Sequence, residues 1–183
     1  MKLATAAGSS GNDLFEVYDM RRRKVGVRPR RICHSTPGLV HRSVHVLVFR
    51  PGGELILQKR SMNKDVQPGK WDTSVGGHLD RGETYLGAAL REAREELGIE
   101  INGAIRLYRY FMKSEIETED VVTFRATHSG NLRPSVDEIE EVREWGMDEI
   151  KERLGTGLFT PNFEQEYEMY ERCSHSRPMR WHS

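Results

Sequence analysis

Apolar positions along the chain follow two periods, and the switches between them outline the elements. Leu14, Phe15, Val17 and Tyr18, then Val25 and Val27, flank the basic run Arg21 to Lys24, which predicts a β-hairpin with a charged tip. The run SVHVLVF over residues 43–49 is rich in β-branched residues, Pro51-Gly52-Gly53 interrupts it, and Leu55-Ile56-Leu57 resumes it. Two strands of a central sheet are expected there. The polar stretch RSMNKDVQPGKW, broken at Pro68-Gly69, reads as a loop. Residues 71–75 read as a short strand, and Gly76-Gly77 with Gly82 bracket a turn. Over residues 84–97 the period lengthens: Leu86, Leu90, Ala93 and Leu97 recur at helical spacing and Gly98 stands at the C-terminal cap. Strands follow at 105–112, 120–127 and 141–145, then a short helix at 147–154. Phe163, Tyr167 and Tyr170 predict a last amphipathic helix with these rings turned inward.

Strands alternate with helices and nothing repeats, which indicates one α/β domain over residues 13–172. The small-residue leader 1–12 and the aperiodic end 173–183 are expected to be flexible. With 37% hydrophobic and 31% charged residues, the composition is that of a soluble globular domain. The formal net charge is zero, so no global field draws the protein to a nucleic-acid polymer or an anionic membrane. An anionic small molecule must therefore be met locally. The leader's apolar run is too short for a signal peptide, and no stretch reaches the ~18 apolar residues of a membrane span. Cys33 and Cys173 have no zinc-like spacing, which favours reduced thiols and a cytoplasmic setting.

Glu92, Glu95 and Glu96 occupy relative positions zero, three and four of the predicted helix, so their carboxylates project from one face opposite the apolar stripe. Like charges repel there unless a hard divalent cation neutralises them, and oxygen ligands suit magnesium or manganese. Taken alone, REAREE reads as a solvated face balanced by Arg91 and Arg94. Its surroundings change that reading. Gly77, five residues, Glu83, seven residues, then Arg91-Glu92-Ala93-Arg94-Glu95-Glu96-Leu97-Gly98-Ile99 form a pattern with a chance frequency of roughly 10⁻⁷ at ordinary residue usage.

This pattern resembles the signature of the Nudix superfamily. The resemblance implies an α/β/α sandwich around a mixed sheet, with Glu92, Glu95 and Glu96 as metal ligands for magnesium or manganese. It also implies Glu83 and Arg91 paired across a loop, and Gly76 and Gly77 bringing backbone close to metal and phosphates. The activity implied is hydrolysis of a phosphoanhydride bond in a nucleoside diphosphate linked to another group, or in a related organic diphosphate. Hydroxide is repelled by such a linkage, and bound cations neutralise it and acidify water.

The blocks VHVLVF, GELILQKRS and PGKWDTSVGGH resemble a bacterial Nudix group often compared with isopentenyl diphosphate isomerase. By that comparison His34, His41, His78, Glu117 and Glu119 correspond to the isomerase's metal ligands, and Arg60 and Lys64 to its diphosphate contacts. Singly, each histidine reads more simply as a loop or surface residue. Two departures separate this chain from the isomerase: Gly76 stands where it needs a cysteine, and Glu92 and Glu95, usually lost in isomerases, are kept. Isomerisation and a non-catalytic nucleotide-sensing module are the alternatives. Trp71 and Trp145 read as core residues or as a pocket border, and Arg21 to Arg23 as a solvated tip or, less simply, as a contact for a nucleotide phosphate or a partner. Asp137, Glu138, Glu140 and Glu141 read as a solvated face or as the source of a catalytic base. Dimerisation through an exposed strand or the N-terminal hairpin stays open.

Overall fold

Strand β3 (Val40–Phe49) organises the sheet because it finds partners along both edges. It runs parallel to β8 (Thr118–Thr127) over its full length and antiparallel to β6 (Val75–His78), in the register Val44↔Gly77 and His45↔Gly76. The N-terminal hairpin of β1 (Leu14–Tyr18) and β2 (Lys24–Pro29) adds at one end, and β4 (Leu55–Arg60) joins β5 (Trp71–Asp72) and β9 (Ile139–Trp145) at the other. Strand β7 (Ile105–Lys113) pairs with β8, completing one mixed sheet. The computed structural model describes residues 14–64 and 66–176.

Side chains alternate across a strand, so each face of the sheet takes its own cover. Val44, Val46, Val48 and Ile56 pack against Ala88, Ala89, Ala93 and Leu97 of α2 (Tyr85–Leu97). Leu47, Phe49, Leu55 and Leu57 face the other way, against Ile150 of α3 (Met147–Arg153) and Phe163 and Tyr167 of α4 (Pro161–Ser176). The result is the expected α/β/α sandwich. Trp71 and Trp145 meet edge to face at 5.1 Å inside the second cluster, which makes them core residues. No described helix is long and apolar enough to cross a membrane.

Helix α2 begins where Thr84 Oγ1 accepts the Gly87 N–H at 3.0 Å and ends at Gly98 in the left-handed region (φ 65°). Its buried stripe differs from the expected one, since Leu86 is 46% exposed while Ala88 and Ala89 are buried. Small alanines let the helix lie close to the sheet, and leucine at those positions would hold it away. Gly76 and Gly77, expected in a turn, are extended and paired with β3. The expected strand 71–75 divides at Thr73-Ser74, where Ser74 Oγ accepts the Val48 N–H at 2.9 Å and donates to Ile56 O. That one hydroxyl bridges two strands.

A single unforeseen turn, α1 (Arg30–Cys33), follows the hairpin. The expected solvated tip is instead anchored: Arg22 Nε donates to Asp120 at 3.1 Å, and Arg109 also pairs with that buried carboxylate. Strand β9 begins at Ile139, ahead of the expected 141, and α4 continues to Ser176, into the segment expected to be a flexible end. The leader 1–12 and residues 177–183 lie outside the described residues.

Candidate active site

The three carboxylates of α2 gather around the glycine strand β6, but in unequal surroundings. Glu95 has a side chain 59% exposed, whereas Glu96 is only 7% exposed, so Glu96 does not stand on the solvated face expected for it. Its Oε2 accepts the Gly76 N–H at 3.1 Å and the Gln58 amide at 3.0 Å. Glu92 lies in the space a side chain at residue 77 would need: a Cβ built on Gly77 falls 2.1 Å from the Glu92 carboxyl carbon. Gly77→Ala should therefore displace Glu92 and lower kcat/KM by about 10- to 100-fold while the fold persists. Steady-state kinetics beside circular dichroism checks this, and unaltered kinetics would reject the close-approach role.

Burial pushes Glu92 up to about 7; Arg91 acts against the rise, and the charges of Glu95 and Glu138 add to it. Burial, then the charge of Glu92, raises Glu96 well above the usual glutamate value. Two carboxylates that resist ionising together, with the Glu95 carboxylate beside them, are what a divalent cation would relieve, so the donor set fits magnesium or manganese.

Arg91 holds the loop before α2 closed. Its Nε and Nη2 donate to the two Glu83 oxygens at 3.0 and 2.9 Å, and Nη2 also reaches His78 O at 3.0 Å. Nη1 donates to Glu92 and Glu95 at 2.9 and 3.1 Å. Burial acts upward on Glu83, but its hydrogen bonds from Arg91 outweigh this and keep its pKa low. The pairing expected across the loop is present.

A cavity of about 1360 Å³ opens over these groups and is also lined by Arg60, Lys64, Asp137 and Glu138. Arg60 Nη1 lies 3.1 Å from Asp72, and Lys64 Nζ 2.9 Å from Glu138. Of the acidic stretch, Glu140 and Glu141 are exposed on β9 and take no part in the lining.

The same cavity reaches the histidine set. His34, His41 and His78 cluster with ring centroids 5.0 to 5.1 Å apart. Glu117 Oε2 lies 3.2 Å from His34 Nδ1, and Glu119 Oε1 lies 2.8 Å from His78 Nε2 and 3.5 Å from His41 Nε2. Both ring nitrogens of His41 are buried without a hydrogen bond. Burial, with the neighbouring His78, pushes His34 down to about 3. Burial acts upward on Glu119, yet His41 and His78 hold it well below the usual range. Buried ring nitrogens without a hydrogen bond, gathered with the Glu117 and Glu119 carboxylates, fit a second divalent cation.

Three residues near the site went unread in the sequence: His45, Gln58 and Glu166. His45 Nδ1 lies 3.1 Å from Oε1 of the fully buried Glu166, and Thr123 Oγ1 donates to that oxygen at 2.6 Å. Burial pushes His45 down, but Glu166 more than reverses this and carries it up to about 9. The signals were periodic: His45 repeats the strand face of His41, and Glu166 shares the helix face of Phe163 and Tyr170. Cys33 is buried with Phe15 and Val17, and neither it nor Cys173 lines the cavity.

The NUDIX domain profile matches residues 39–171. An uncharacterised Nudix hydrolase of Pseudomonas aeruginosa is 35% identical, with 74% of this chain and 79% of the relative covered. An isopentenyl-diphosphate Delta-isomerase of Streptomyces avermitilis is 31% identical over 87% of each chain. The crystal structure of DR0079 from Deinococcus radiodurans superposes with a TM-score of 0.74 at 23% identity, covering 88% of this chain and 99% of that one, a likeness of fold. Signature geometry, architecture and sequence match agree: the chain belongs to the NUDIX domain family.

Proposed function

We propose that this protein is a divalent-cation-dependent hydrolase that cleaves a phosphoanhydride bond in a nucleoside diphosphate linked to another group, or in a related organic diphosphate. The observation that carries this reading is that Glu92, Glu95 and Glu96 surround the glycine strand in the cavity that Arg60 and Lys64 also line. The three glutamates would hold magnesium or manganese, with Gly76 offering backbone beside them. A cation bound there would supply neutralisation of phosphoryl oxygens and acidification of water. Arg60 and Lys64 supply a guanidinium fork and an ammonium for the remaining diphosphate oxygens, exchanging their present partners Asp72 and Glu138 for substrate. Arg91 keeps the loop and two of the carboxylates in place.

The histidine set with Glu117 and Glu119 would hold a second cation in the same cavity. Isomerisation is the lesser reading, because Gly76 has no side chain to move a proton and neither cysteine lines the cavity. Purified protein with magnesium or manganese should release phosphorylated products from at least one of nucleotide sugars, dinucleotides, deoxynucleotides, coenzyme A and prenyl diphosphates. Folded protein that releases nothing from the whole panel would sink the proposal. Proton exchange into isopentenyl diphosphate without phosphate release would favour the isomerase.

A further inference from the structure

His45 and Glu166 form a buried polar pair. On their own elements they neighbour Leu47 and Phe163 of the apolar cluster. A fully buried carboxylate costs several kcal/mol of desolvation, and apolar replacements of such pairs are often neutral or stabilising. The pair therefore asks for a reason other than packing.

Its geometry supplies one. Glu166 is fixed by Thr123 on β8, and the Tyr108 hydroxyl on β7 donates to its main-chain oxygen at 3.2 Å. Held this way, Glu166 occupies His45 Nδ1 and sets the orientation of the ring. The other nitrogen, Nε2, has no hydrogen-bond partner among the described residues, and His45 lines the cavity. A Cβ built on Gly76 would lie 3.3 Å from His45 Cδ2 and 3.6 Å from Nε2, so the absent side chain leaves that ring edge open. Ser43, two residues earlier on the same strand face, also lines the cavity, and its buried hydroxyl lacks a partner.

Consecutive residues of β6 point to opposite faces. Gly77 makes room for Glu92, and Gly76 makes room beside His45. Both side chains line the same cavity, so a group attached to a diphosphate held at the α2 carboxylates can reach the His45 ring past Gly76.

We infer that His45, positioned by Glu166, is a substrate-contacting specificity residue that selects a polar, oxygen-bearing group next to the cleaved diphosphate, such as a ribose or sugar, over a hydrocarbon chain. This rests on the hydrolase reading above. An apolar chain laid over Nε2 would strip it of water and return no hydrogen bond, and would leave Ser43 Oγ unpartnered, a penalty that discriminates strongly between such substrates.

The test compares ADP-ribose with geranyl diphosphate on wild type, His45→Leu and His45→Gln, each with magnesium and with folding checked by thermal melting. Wild type should favour ADP-ribose. His45→Leu should lower kcat/KM for ADP-ribose by about 100-fold, mainly through KM, and raise it for geranyl diphosphate by about 10-fold, because the polar nitrogen that an apolar chain would desolvate is gone. His45→Gln, which keeps a polar end, should recover part of the loss. A general structural defect would lower both substrates together, and that result, or a preference unchanged by His45→Leu, overturns the inference. If wild type turns over neither compound, neither is its substrate, and the hydrolase reading is judged on the wider panel above. Calorimetric binding then decides the inference alone: tighter ADP-ribose binding that His45→Leu abolishes supports it, and equal affinities or no His45→Leu effect reject it.

Discussion

Glu96→Gln is expected to reduce kcat/KM by on the order of 10³-fold, about 4 kcal/mol of transition-state stabilisation, while making the metal-free protein more stable at pH 8. The loss follows from removing one of three anionic donors from the cation site. The gain follows from burial. Glutamine keeps a carbonyl oxygen where Glu96 Oε2 accepts from Gly76 and Gln58, so the local hydrogen bonds survive without the charge. Because the folded-state pKa of Glu96 is raised above the usual 4.5, its stabilising protonated form is fully present below that value and is lost as pH climbs. Glu92 adds a similar loss that extends through about 7. Thermal melts in chelator should therefore show wild type falling from pH 5 to pH 8. The variant should fall less and end about 5 °C higher. Magnesium should restore wild type and do little for the variant. Full activity in Glu96→Gln, or parallel pH profiles, would contradict this account of the site.

Arg91→Met should lower kcat/KM by about 100-fold and cost about 2 kcal/mol of stability. Its guanidinium meets Glu83, Glu92, Glu95 and the His78 carbonyl, so removing it leaves carboxylates repelling one another around an unclosed loop. Arg91→Lys should recover little, because one ammonium cannot reproduce a planar fork that reaches both Glu83 oxygens. Urea unfolding beside steady-state kinetics measures both effects. Activity within threefold of wild type in Arg91→Met would show that the loop holds its shape without that residue.

Much of this was legible before any coordinates. The period-two runs placed β3 and β4, the helical period ending at Gly98 placed α2, and the signature from Gly77 to Ile99 located the carboxylates and, through its resemblance, the Glu83–Arg91 pair. Such features are local: each depends on neighbours within a turn or two of chain, where geometry follows from residue type. Gly76-Gly77 misled for the same reason, since glycine's own preference points to a turn and only the ladder offered by β3 draws it into a strand.

What tertiary structure decided were the relations between distant segments. It alone turned Glu96 inward beneath Gly76, anchored Arg22 on Asp120, brought α4 over β3 so that Glu166 meets His45, and joined the carboxylates and histidines in one cavity. The chain's own pattern determined the family, the elements and the residues that carry charge. Which of those charges are buried, and what each one faces, depended on contacts across many residues of chain, because desolvation and pairing are set by packing in space.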